Sequence, residues 1–244
     1  LGFIRKAPNL GWIDVPFGQL MTDSLCAHIG VCPTVVLGND ANLGAVAEFV
    51  RGAATATSSV VYLSGDVGVG GGVVLGGKVL AGGSGFAGEL GHMVVNPTGE
   101  PCNCGSRGCW ETEVGRDAIF SAVGFLPGQG SFSDLVAESL TELTDIKRAL
   151  SGVGEWVGVG LVNLMNSIDP NYIVLGGHLA EIYPYISEVV DARIDQSRPN
   201  TQTRAHISLP SLLLNSPLAG AAEAAFGPLL SDPLHEMDRA FVLI

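Results

Sequence analysis

Two hydrophobic periods run along this chain. Short apolar runs bounded by turn residues predict strands at 33–37 (PTVVL), 58–63 (SSVVYL), 72–75 (GVVL), 78–80, 172–175 (YIVL) and 206–209. A further strand is predicted at 2–5, leading into a turn-rich loop at 8–12 in which Asn9 either bonds its own backbone or meets a ligand. Helical stretches are predicted at 17–29, with apolar residues at Leu20, Leu25 and Ile29, then at 41–51, 113–123, parts of 133–150, 153–168, 179–194 and the small-residue stretch 217–226. Gly76-Gly77 predicts a tight turn, so the middle of the chain reads as antiparallel hairpins. Strand-then-helix units at 33–51 and 172–194 make the fold α/β.

Composition sharpens this picture. The 244 residues include 34 glycines, about twice the average share, interleaved with Val, Leu and Ile as in compact sheets rather than linkers. A formal net charge of −12 excludes a nucleic-acid surface within this segment. No apolar run is long enough to span a bilayer and no signal peptide opens the chain. The opening LGFIRKAPNLGW reads like the middle of a domain, which predicts a missing N-terminal part. Five cysteines, three of them crowded together, predict a reducing, cytoplasmic setting rather than a disulfide scaffold.

Those three cysteines carry the most specific chemistry. His92, Cys102, Cys104 and Cys109 form a Cys₃His inventory that suits a closed structural Zn²⁺ site. A Cys104–Cys109 disulfide or reduced thiols are the competing readings, and the ligand types and crowding favour zinc. Glu89 and Glu111 bracket the cluster, and a metal-ordered loop would hold both acids near the imidazole.

Asp40 precedes a predicted helix at a predicted strand's carboxyl end, where it reads either as an N-cap or as a general base aimed at a ligand hydroxyl. The glycine run containing Gly68 and Gly70 lacks the dinucleotide spacing. It reads as a tight hairpin or as a close approach to a nucleotide, and Gly176-Gly177 before a helix offers a second such approach.

With these pieces in order, the chain resembles the ROK family of repressors, open reading frames and sugar kinases. The resemblance rests on PNLGW at 8–12, NDAN at 39–42, GVGGG at 68–72, AGELGH at 87–92, CNCGSRGCWE at 102–111 and VLGG at 174–177. It implies an actin-like, ribonuclease-H-like two-lobed fold truncated at the N-terminus, with a zinc loop at 85–111. The lobes would comprise 1–55 and 56–216, and 217–244 would be a helix and tail packing back between them. Asn39, Asp40, Glu89, His92 and Glu111 would bind a sugar, and Asp40 would be the base in kinase members using ATP and Mg²⁺. Kinase members carry Gly-Thr-Gly before the glycine run, whereas this chain has Asp66, Val67 and Gly68. The resemblance therefore implies the sugar-binding part of a homodimeric transcriptional repressor whose DNA-binding helix-turn-helix lies outside this chain, with an ATP-dependent hexose or N-acetylhexosamine kinase as the alternative.

Overall fold

A computed structural model describes residues 2–7, 10–30, 32–125, 132, 143–197 and 204–234. The predicted Asn9 contact and the helical parts at 133–142 lie outside the described residues. The chain divides into two compact units, Leu1–Asn39 with Ala221–Ile244, and Asp40–Gly220.

The first unit holds an antiparallel ribbon of β1 (Ile4–Ala7) and β2 (Trp12–Val15), paired Ile4↔Val15 and Ala7↔Trp12. The sequence reading placed Trp12 in a loop. Trp12 instead opens β2, and its ring lies 5.6 Å from that of Phe17, which opens α1 (Phe17–Ile29) as predicted. Gly30 closes this helix in the left-handed conformation, and Cys26 and Cys32 form a disulfide across the cap. The two cysteines, six residues apart, meet because the helix end turns between them, and neither belongs to the crowded trio. Residues 33–37 form no strand: their backbone finds no ladder partner among the described residues, and Val36 is largely exposed.

The second unit is built on a five-stranded sheet in the order β5-β4-β3-β6-β7. Its strands are β3 (Ser59–Gly65), β4 (Val69–Leu75), β5 (Lys78–Val79), β6 (Tyr172–Gly177) and β7 (His206–Ser208). The predicted hairpins are antiparallel, whereas β6 runs parallel to β3 and β7. Alternation on β3 splits the core: Val61 and Leu63 enter the large cluster, Val60 and Tyr62 the smaller one on the opposite face.

Helix α2 (Asp40–Val50) contributes Ala41 and Ala45 to the smaller cluster, and small residues let it approach the sheet closely. Beyond the zinc-type loop come α3 (Trp110–Val114) and α4 (Arg116–Ala122), where a single helix at 113–123 was predicted. Gly115, extended at φ −73° and ψ 178°, breaks the two apart. The long helix α5 (Leu143–Ser167) and α6 (His178–Ser197) cover the large cluster, and α7 (Ser216–Ser231) begins at buried Ser216. No described helix is long and apolar enough to cross a membrane.

Trp110 anchors the site end of this core. Its ring is fully buried, its Nε1 donates to the Trp156 carbonyl at 2.9 Å, and it lies so close to α5 that a Cβ on Gly160 would stand 2.0 Å from it. Truncating such a ring costs about 3–5 kcal/mol.

Candidate metal centre and ligand site

Backbone bonds shape the loop before any ligand is considered. Val95 N–H and Asn96 N–H both donate to Gly108 O, Trp110 N–H donates to Met93 O, and Cys102 N–H donates to Ser106 O. Gly108 is the pivot. Its φ is +66° and a Cβ there would fall 1.5 Å from Asn96 O, so only glycine lets the strands of this loop close. Asn96 Nδ2 then donates to Glu113 Oε1 at 2.9 Å, tying the loop to α3.

The closure brings His92, Cys102, Cys104 and Cys109 together, with one donor atom from each within 4.8 Å of the others. Cys104 Sγ lies 3.6 Å from Cys109 Sγ, and Cys102 Sγ lies 3.6 Å from His92 Nδ1. A tetrahedron with metal–sulfur bonds of about 2.3 Å has edges of about 3.8 Å, so the spacing fits a four-coordinate ion with no open position. Burial pushes the thiols of Cys102 and Cys109 up, while a backbone amide bond from Ser106 pulls exposed Cys104 down. A divalent cation would reverse the first effect by stabilising thiolates directly.

The imidazole is oriented by its neighbours. Nδ1 faces Cys102 and stands 3.3 Å from Glu111 Oε1, whereas Nε2 points the other way, 3.9 Å from Glu89 Oε2. A metal on Nδ1 therefore leaves Nε2–H as a fixed donor beside the Glu89 carboxylate. Glu111 Oε1 also accepts from the Cys102 thiol at 2.8 Å.

Strand β4 collects the remaining elements, and its glycines explain how. On one face, Gly72 lies against the α2 backbone, where a Cβ would stand 2.2 Å from Ala41 O, and Gly70 faces the Ala41 methyl. On the other face, Cβ atoms on Gly71 and Gly91 would stand 2.6 Å from Gly88 O and 2.0 Å from Val69 O. Gly68, just before the strand, faces the Glu111 carboxylate, whose Oε2 would be 2.4 Å from an added Cβ. A strand with no side chains over this stretch brings the first turn of α2 and the loop bearing Glu89 and His92 onto its two faces. The unbroken glycine run at period two signalled this in the sequence; Gly71, Gly88 and Gly91 were not singled out there.

Asp40 is the first residue of α2, is exposed, and accepts its neighbour Ala41 N–H at 2.8 Å, a bond one residue on rather than the cap to the second or third N–H, and the carboxylate stays open to solvent. Asn39 ends the other unit. Gly176 and Gly177 end β6, facing the Tyr62 hydroxyl and Gly65 O, so their lack of side chains serves contacts within the chain. Asp66 sits at the β3–β4 turn with its side chain 82% exposed, 3.9 Å from His178 Nε2, and His178 Nδ1 is 3.1 Å from Glu181 Oε2.

Comparison with known proteins places this arrangement. A family model described as "ROK family" matches residues 2–226. The xylose repressor of Bacillus spizizenii is 31% identical over 216 residues, which is 87% of this chain and 54% of the repressor. The glucokinase of Halalkalibacterium halodurans is 30% identical over 200 residues, covering 74% of this chain and 58% of that enzyme. The chain thus spans little more than half the length of these relatives. Among solved structures, a ROK glucokinase from Streptomyces griseus in complex with glucose and AMPPNP matches with TM-score 0.74 at 25% identity, covering 91% of this chain and 76% of that one. A ROK transcriptional regulator homologous to the E. coli MLC protein shares the fold, with TM-score 0.71 at 23% identity, covering 91% of this chain and 57% of that one. The mixed α/β sheet, the Cys/His loop and the matches across 2–226 agree: this chain belongs to the ROK family and has the fold of its actin-like sugar kinases.

Proposed function

We propose that the chain is the sugar-binding effector region of a cytoplasmic, homodimeric ROK transcriptional repressor, with DNA contacted by a helix-turn-helix outside it. Asn39, Asp40, Glu89, His92 and Glu111 bind the sugar. Zn²⁺ on His92, Cys102, Cys104 and Cys109 sets the imidazole and Glu111 in place. Carboxylates accept from vicinal hydroxyls while His92 Nε2–H donates to a ring oxygen or hydroxyl. A site of this kind discriminates epimers strongly, because a misplaced hydroxyl leaves a polar group unpaired.

The observation that carries the repressor reading is Asp66 at the β3–β4 turn, the first residue of the Asp66-Val67-Gly68 stretch that stands where kinase members have Gly-Thr-Gly. Like charges ~4 Å apart repel by about 1 kcal/mol in bulk water and about 4 kcal/mol near a protein surface, which disfavours a triphosphate beside this carboxylate. The kinase reading has its own support: Asp40 is exposed at the start of α2, where a base would accept a proton from a sugar hydroxyl, and glucokinases are among the relatives. In that reading Gly68, Gly70, Gly176 and Gly177 would flank ATP and Mg²⁺.

Thermal unfolding with D-xylose and D-glucose, each with and without Mg-ATP, separates the two readings. The repressor reading expects one sugar to raise Tm and Mg-ATP to add nothing; a shift from Mg-ATP alone favours the kinase.

A further inference from the structure

Glu48 lies two turns after Asp40 on α2, and it is completely buried. Its carboxylate is saturated. Oε2 accepts Ala53 N–H at 2.7 Å and Ser211 N–H at 3.1 Å, and Oε1 accepts the Ser216 hydroxyl at 2.7 Å and Leu212 N–H at 3.3 Å. A buried ionised carboxylate costs several kcal/mol unless its lone pairs are filled, so these four donors and Glu48 hold one another in place. They come from three segments: the loop after α2, the turn before α7, and the first residue of α7.

That turn is strained. Leu213 has φ +54°, a conformation that costs a non-glycine residue roughly 1–2 kcal/mol, and its side chain is 71% exposed, so packing does not stabilise it. The bonds to Glu48 on its N-terminal side and through Ser216 on its C-terminal side do. Four residues further on, α7 touches α2 backbone to backbone, since a Cβ on Gly220 would stand 1.9 Å from Leu43 O. Helix α2 thus grips the start of α7 at two levels, Leu43 and Glu48. The chain passes between its two units at Asn39–Asp40 and at Gly220–Ala221, and these passages lie at the start of α2 and within α7.

We infer that Glu48 is a positioning residue that fixes the register of α2 against α7 and carries sugar occupancy at Asp40 to the 211–216 turn. This rests on the proposed sugar site. A ligand bonded to the first turn of α2 restrains the whole helix, and the helix is bonded to the turn through Glu48. Loss of the carboxylate frees the strained turn, and with it the register that aims Asp40.

The test uses this chain with D-xylose and D-glucose as probes, read by titration calorimetry and by hydrogen exchange at the amides of Ser211 and Leu212. In the wild type, the sugar that binds slows exchange at both amides, although neither belongs to the sugar-binding set. Glu48→Gln keeps the shape but turns an amide group toward donors; it should weaken the sugar about tenfold, the size of coupling within one network, and abolish the exchange response. In an Asp40→Asn background, Glu48→Gln should weaken the sugar no further. A merely structural residue would lower Tm, add its full effect to Asp40→Asn and leave the sugar-dependent protection intact, and that outcome overturns the inference. If Glu48→Gln does not fold, Ser216→Ala removes one donor and should show the same pattern at about threefold amplitude; unchanged affinity and protection there overturn the inference equally. Failure of the wild type to bind either sugar is a different result, one that removes the effector reading itself.

Discussion

Two regions beside the glycine strand β4 differ in what they offer a ligand. Around His92 and Glu111, neighbours orient the polar groups: the imidazole by Cys102 and Glu111, Glu111 by Cys102, and the loop by Asn96 and Glu113, with Glu89 beside the imidazole's far nitrogen. At the β3–β4 turn, Asp66 projects an exposed carboxylate toward the His178 imidazole, which also meets Glu181. One region is built to fix geometry, and the other presents acids. A protein that keeps the first while filling the second with negative charge is equipped to recognise a neutral polyol more readily than a triphosphate.

The largest effect should come from removing the metal from the ordered region. Cys104→Ser, or treatment with a strong chelator, should abolish stoichiometric zinc by metal analysis and lose sugar binding, because the loop then lacks the ion that sets His92 and Glu111. Zinc affinity should rise with pH. Burial holds Cys102 and Cys109 protonated through neutral pH, so metal binding must release their protons, and a titration in buffers of different ionisation enthalpy will count them.

Next in size, Trp110→Ala should cost about 3–5 kcal/mol and lower Tm by roughly 10 °C, because it empties a space that Gly160, lacking a side chain, leaves for the ring. Asp40→Asn should leave Tm nearly unchanged while weakening the sugar by about 2 kcal/mol, the cost of replacing a charged hydrogen bond. The smallest effect probes the β3–β4 turn: Asp66→Gly should improve Mg-ATP affinity by about 1 kcal/mol without changing sugar affinity, as calorimetry will show.

Local chemistry made the ordered region legible in the sequence. His92 and the three cysteines lie in one short stretch, so ligand type and spacing were visible without knowing the fold, and the β4–β5 hairpin announced itself through its Gly76-Gly77 turn. What was not legible depends on partners distant in sequence. Trp12 becomes a strand residue only because Ala7 pairs with it, and residues 33–37 form no strand because nothing among the described residues pairs with them. Glu48 was overlooked because its donors come mostly from 211–216. A signal for it existed. Ala41, Gly44, Ala45 and Glu48 share one helical stripe, and an acid on an otherwise small, buried face requires partners.

Phosphoryl transfer is the property on which the two readings part. Purified protein incubated with Mg-ATP and a panel of pentoses and hexoses, followed by mass spectrometry for sugar phosphate, should yield none above the no-enzyme background while at least one of those sugars raises Tm. Catalytic formation of a sugar phosphate, lost in Asp40→Asn, would contradict the repressor reading and make this chain part of a kinase.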